Sequence, residues 1–278
     1  MQEQELLNFQ KCDPPSILEG CIDKSFGKTI FNHFENPLLF MDAVKSYRDH
    51  KNCTPKSKQE IDDGVKAFEK IGDLDIEYDT LFQDVSEKVR SKLLARGFTT
   101  AMLYSSVEFT TENTGVMSKQ RAMLGRRDCY FKNPSMSDGK LFHDMYINLS
   151  YPWSVSDKTI RESSYAIYAL TKELARVIPM RVIVVNHVGT DIPTCYSYVL
   201  KKFGLPLNPE EFLFFTSTSK RTFGWATYGI LNGGRSEDSK VGRPENSVSI
   251  DQFDLDKEID KLFEKITAQA PELFKAAS

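Results

Sequence analysis

The chain reads as an α/β protein, with a mostly parallel central sheet flanked by helices and a helical N-terminal region. Three observations predict this. Residues 141–218 run as strand, amphipathic helix, strand, short helix and strand with little slack between them. Within that block, residues 181–186 are nearly all apolar and β-branched, as expected for a strand covered on both faces. A strand, a long helix and a second strand in succession favour parallel pairing through a right-handed crossover.

The helices before this block follow from spacing. In residues 36–50, Leu38, Leu39, Met41, Val44 and Tyr47 recur at near-helical intervals. Ile61, Val65, Phe68 and Ile71 form one stripe over residues 57–71, after a polar loop that contains Pro55. Leu81, Val85, Val89, Leu93 and Leu94 mark a third helix over residues 78–96, with Gly97 as its C-cap. Residues 1–98 are therefore read as a mainly helical accessory region, and residues 99–278 as the α/β core domain with a C-terminal helix.

In the core, residues 101–109 are strand-like, 110–119 form a loop, 118–127 a short basic helix or turn, and 129–132 a strand. Met145, Ile147 and Leu149 share one face of the first core strand. Ser156 or Asp157 caps a helix over residues 156–178, whose buried stripe is Ile160, Ile167, Leu170, Leu174 and Val177 and which Pro179 stops. Residues 196–203 read as a short helix capped by Gly204, and residues 211–216 as an apolar strand. Residues 222–231 are aromatic and fit helix or strand, and residues 232–247 are a polar loop rich in Gly and Ser. Leu255, Ile259, Leu262, Phe263 and Ile266 place a terminal helix over residues 254–267.

Composition narrows the function classes. With 278 residues, 40% hydrophobic and 27% charged, the chain can bury a real core. A formal net charge of −3 argues against general coating of DNA. No apolar run approaches the ~20 residues that span a bilayer, and the opening residues lack the apolar stretch of a secretory signal. A soluble protein of the cytoplasm, without a membrane partner, is expected. Five scattered cysteines and four dispersed histidines show no CxxC or HExxH spacing, so no zinc site is expected. Neither GxSxG nor a phosphate-binding glycine loop occurs. Cys195 follows Thr194 at a possible helix start, where a dipole would stabilise a thiolate, but it is read as a partly buried structural cysteine.

Two candidate sites remain. At the carboxyl edge of the sheet, Asn148, Ser150, Ser154 and Asp157 follow the first core strand, while Thr190 and Asp191 follow the second. Ligands collect at such edges in open α/β sheets, and hydroxyl and carboxylate oxygens in two facing loops suit Mg²⁺. No other cofactor is expected. The same residues also serve as helix caps and local backbone partners. The second candidate is the basic cluster Lys119, Arg121, Arg126 and Arg127, extended by Lys220 and Arg221, with Met123, Tyr130 and Phe131 between. Cations for phosphates and rings for bases would suit a nucleic acid, and a solvated charged face uses the same residues.

From about Met117 to Leu231 the chain resembles an uncharacterised family of bacteriophage and prophage proteins. The features that carry this are residues 125–130, the strand 146–150, the helix 160–177, the strand 182–185, and Phe212 to Phe215 followed by Lys220, Arg221 and Phe223. That resemblance implies a phage setting in the host cytoplasm. The core also resembles, more loosely, a von Willebrand factor A domain, a Rossmann-like fold whose first strand ends in DxSxS and binds a divalent metal. Here Asn148 stands at the position of that Asp, and Ser150 and Ser154 follow. Such domains bind proteins, including ring ATPases, so an interaction or adaptor module is the implied function. A nucleic-acid-associated protein and a metal-dependent hydrolase are the alternatives from other classes.

Overall fold

A computed structural model describes residues 11–12, 18, 29–49, 53–71, 80–95, 111, 116–118, 122, 127, 129–131, 143–151, 154–175, 180–189, 194–203, 205–218, 240–241 and 247–269. Strands β1 (Lys11–Cys12) and β2 (Thr29–Phe34) precede helices α1 (Pro37–Tyr47), α2 (Pro55–Glu69) and α3 (Thr80–Ala95). Next come β3 (Val116–Met117), β4 (Tyr130–Phe131), β5 (His143–Asn148), α4 (Asp157–Leu174), β6 (Met180–Gly189) and β7 (Thr194–Lys201). Helix α5 (Pro209–Leu213) runs into a π-helical turn (Phe214–Thr218), and β8 (Lys240–Val241), β9 (Ser247–Ser249) and α6 (Leu255–Gln269) follow.

Helix starts repeat one device. Asn36, Thr54 and Asn208 each stand before a proline, and each accepts a backbone N–H from its own first turn. Proline fits the first helical position because its missing N–H is one that the helix cannot use there. Ser156 caps α4 without a proline, accepting from the Thr159 N–H at 3.1 Å.

The fold is α/β. A five-strand, mostly parallel central sheet in the order β2, β7, β6, β5, β9 has helices packed on it. β2 runs parallel to β7, β5 parallel to β6, and β9 parallel to β5, while β6 and β7 form an antiparallel pair. β1 extends one margin, and β8 pairs with β6 at Val188 and Gly189, beyond the end of β5. β3 and β4 pair separately.

One face of the sheet presents Met145, Ile147, Val182, Val184, Tyr196 and Tyr198, and these form a single buried cluster with residues of α1 through α6. The opposite face presents Tyr146, Ile183, Val185, Cys195 and Val199, packed with Phe31 and Leu18. Helix α1 is anchored by Phe40, whose ring stacks on Tyr196 at 5.3 Å and on Tyr198 at 4.9 Å. β2 lies within the first 98 residues, the stretch expected to be an accessory region, yet it is hydrogen-bonded into the sheet. α3 packs against α4.

Short strands β3 and β8 lie in the stretches 110–119 and 232–247, expected to be loops, and two longer elements change type. Residues 196–203 do not form a helix: residues 194–201 are strand β7, in the middle of the sheet. Both of its faces are buried, so the apolar and polar alternation that marks a half-exposed strand is missing. Residues 211–216 are not a strand but belong to α5 and its π turn. Phe212 to Phe215 are all buried there, which erases the polar stripe of a surface helix. The segments 101–109, 222–231 and most of 118–127 and 232–247 lie outside the described residues.

Candidate functional site

The carboxyl ends of β5 and β6 carry a connected set of polar side chains. Asn148 and Ser150 are 1% and 2% exposed, and Asn186 and Tyr196 are buried beside them. The Asn148 carbonyl oxygen accepts the Ser150 N–H at 2.7 Å, which turns the chain sharply off the sheet. Its amide nitrogen donates to Ser249 Oγ on β9 at 3.1 Å. Ser150 Oγ donates to Asn186 Oδ1 at 3.3 Å, and Asn186 Nδ2 donates to the Tyr196 hydroxyl at 2.6 Å. The ladder therefore ties four strands together in the order β9, β5, β6, β7.

Buried amides and hydroxyls are tolerated only when their hydrogen bonds are made, and here they make them with one another. The oxygen of Asn148 is engaged by a backbone N–H, and the hydroxyl of Ser150 points its proton at an amide. All of these donors and acceptors are neutral, and without a carboxylate the described strand-end set does not fit a divalent cation. Among the described residues, no group of three or more His, Cys, Asp or Glu side chains is placed to hold a metal.

Ser154 and Asp157, predicted with this edge, lie above the ladder rather than in it. Both are exposed, Ser154 in the turn that leads to α4 and Asp157 as the first residue of that helix. The cap is Ser156, so the choice between Ser156 and Asp157 resolves to the hydroxyl. Thr190 and Asp191 lie outside the described residues. So do Lys119, Arg121, Arg126, Lys220 and Arg221 of the basic cluster, of which only Arg127 is placed, exposed in a bend. Cys195 is fully buried inside β7, away from any helix start, and carries no activated-thiol geometry.

The opposite end of the sheet holds a second polar group that sequence reading passed over. Arg181 grips Asp144 across β5 and β6 with two hydrogen bonds, from Nε at 2.8 Å and from Nη2 at 2.7 Å. This bidentate pairing raises the Arg181 pKa, and its guanidinium also sits 5.0 Å from the centre of the Phe203 ring. Lys201, 6% exposed, donates Nζ to the Met180 carbonyl at 2.9 Å, and burial lowers its pKa to about 8. Not at that end but in the row of Asn148 and Val185, His33 Nδ1 lies 2.9 Å from Ser197 Oγ, and burial pushes its pKa below the ordinary value. His143 is buried at the start of β5, and desolvation lowers its pKa to about 4. The available signal was a charged or imidazole side chain at the margin of an apolar strand.

No protein-family model matches the chain, and no curated protein or solved structure matches it significantly. No helix among the described residues is long and apolar enough to cross a membrane.

Proposed function

We propose that the chain is a protein-interaction module, an adaptor in a phage or prophage setting built on a von Willebrand A-like, Rossmann-like core. The observation that carries this reading is the closed ladder of Ser249, Asn148, Ser150, Asn186 and Tyr196. Its groups hold one another and set the direction of the loop that follows β5. Above it, Ser154, Asp157, Lys158 and Thr159 form an exposed polar rim at the start of α4. A fixed base under a displayed rim suits recognition of another protein's surface. The partner class that best fits such a core is an assembly ATPase of the ring type.

The test is affinity capture from the native host, comparing tagged wild type with the double variant Ser154→Trp, Asp157→Arg, with and without nuclease. A stoichiometric protein that survives nuclease and is lost in the variant, at unchanged melting temperature, supports the adaptor. Absence of any stoichiometric protein overturns it. Recovery that depends on nucleic acid would transfer the function to the basic cluster around Arg127.

A further inference from the structure

We propose that the segments following β2 and β7 form a self-association surface, through which two copies of this chain pack about a twofold axis. β2 and β7 run parallel towards the end of the sheet where β6 begins, with Phe34 beside Tyr198. Glu35 after β2 meets Lys202 after β7 at 3.5 Å, and this contact joins the two segments. The Leu205 N–H bonds the Lys202 carbonyl at 3.3 Å, a turn that keeps Leu205 close to the ion pair. In the other segment Asn36 caps α1, and Leu38 and Leu39 follow in its first turn.

Leu38, Leu39 and Leu205 are 40%, 47% and 38% exposed, three of the five exposed large hydrophobic side chains among the described residues. Phe203, Pro206 and Leu207 beside them are half-buried. Single exposed leucines are ordinary, whereas apolar side chains gathered on adjoining segments mark a contact surface.

Charge selects the occupant. Residues 34–39 and 202–207 carry one acid, Glu35, and one base, Lys202, with side chains 68% and 50% exposed. A surface without net charge gives no hold on a nucleic acid or an anionic lipid surface, both of which need an excess of cations. It is complementary to itself. A twofold axis beside the ion pair sets Glu35 of each copy against Lys202 of the other, and leucine against leucine. The surface lies away from the carboxyl ends of β5 and β6, so pairing leaves the polar rim at the start of α4 free on both copies. A surface of this size gives a weak, concentration-dependent dimer rather than an obligate one.

Sedimentation velocity of the full chain from about 1 to about 300 µM tests this, the range in which a small interface associates. The weight-average sedimentation coefficient should rise with concentration. Leu38→Glu and Leu205→Glu should each weaken association by about tenfold or more, with melting temperatures equal to wild type at the lowest concentration. Glu35→Lys and Lys202→Glu should each weaken it too, and the two combined should restore it, because the exchanged charges again meet across the axis. The proposal is overturned if wild type stays monomeric over the whole range. It is equally overturned if Leu205→Glu associates like wild type, or if the charge exchange fails to restore association. A monomeric wild type that captures a different protein, lost in Leu205→Glu, would assign the surface to that partner and likewise overturn the second copy.

Discussion

Asn186 and Tyr196 face each other directly across the β6 and β7 pair, with the amide nitrogen 2.6 Å from the phenol oxygen. This contact closes the ladder on its β7 side. Removing the phenol oxygen leaves a buried amide proton without its acceptor, which typically costs more than the bond itself contributes. Tyr196→Phe should lower stability by about 1–3 kcal/mol in urea denaturation. Ser150→Ala should cost less, and the double variant should be less than additive, because both residues act on Asn186. Strict additivity would show that the ladder is not one unit.

Lys201 makes a prediction about alkaline pH. Its folded pKa of about 8 lies below the ordinary 10.5. Folding stability is therefore highest above pH 10.5 with respect to this group, and falls as the pH drops from 10.5 to 8. Below pH 8 the whole desolvation penalty is in place, on the order of 3 kcal/mol from the separation of the two values. Lys201→Met should lose the Met180 contact yet remove that dependence. Urea midpoints at pH 7.5 and 10 should differ less in the variant than in wild type.

Phe40 is the point at which α1 meets the sheet, stacked on Tyr196 and Tyr198 and edge-on to Phe34 at 5.6 Å. Phe40→Ala should cost about 3–5 kcal/mol through lost burial and the cavity left behind. Leu39 is exposed on the same helix, so Leu39→Ser should change stability by less than about 0.5 kcal/mol. Equal losses in the two variants, measured by thermal unfolding, would show that α1 is seated differently.

Much of this architecture is legible in the order of residues, and its limits have physical causes. The stripe Ile61, Val65 and Phe68 announces α2 because other positions of that helix meet solvent, and α4 is announced by Ile160, Ile167 and Leu174 although it is buried all round from Ser163 to Thr171. β5 is legible from the alternation of Met145, Ile147 and Leu149, and β6 as an apolar, β-branched run. β7 is not, since Tyr196 and Tyr198 face one core cluster while Cys195 and Val199 face the other. The run of Phe212 to Phe215 looks like a strand for the mirror reason, although Asn208 and Pro209 before it repeat the start signal of α1. At the site, Asn148 and Ser150 are visible from their position after a strand. Ser249 is not, because it joins them from 101 residues away.

The strand order has a consequence for how the chain is made. β2 meets β7 across 164 residues of sequence, as the contact of His33 with Ser197 shows, and β9 reaches β5 last. Apart from the short pairing of β1 with β2, neither β2 nor β9 has its partner in the central sheet beside it in the chain, so closing long loops must precede the reward of pairing. During synthesis, β2 leaves the ribosome with its edge unsatisfied and stays so until β7 emerges. Nascent chains of this protein are thus exposed to mispairing for most of their translation, and chaperone demand should be greatest in that interval.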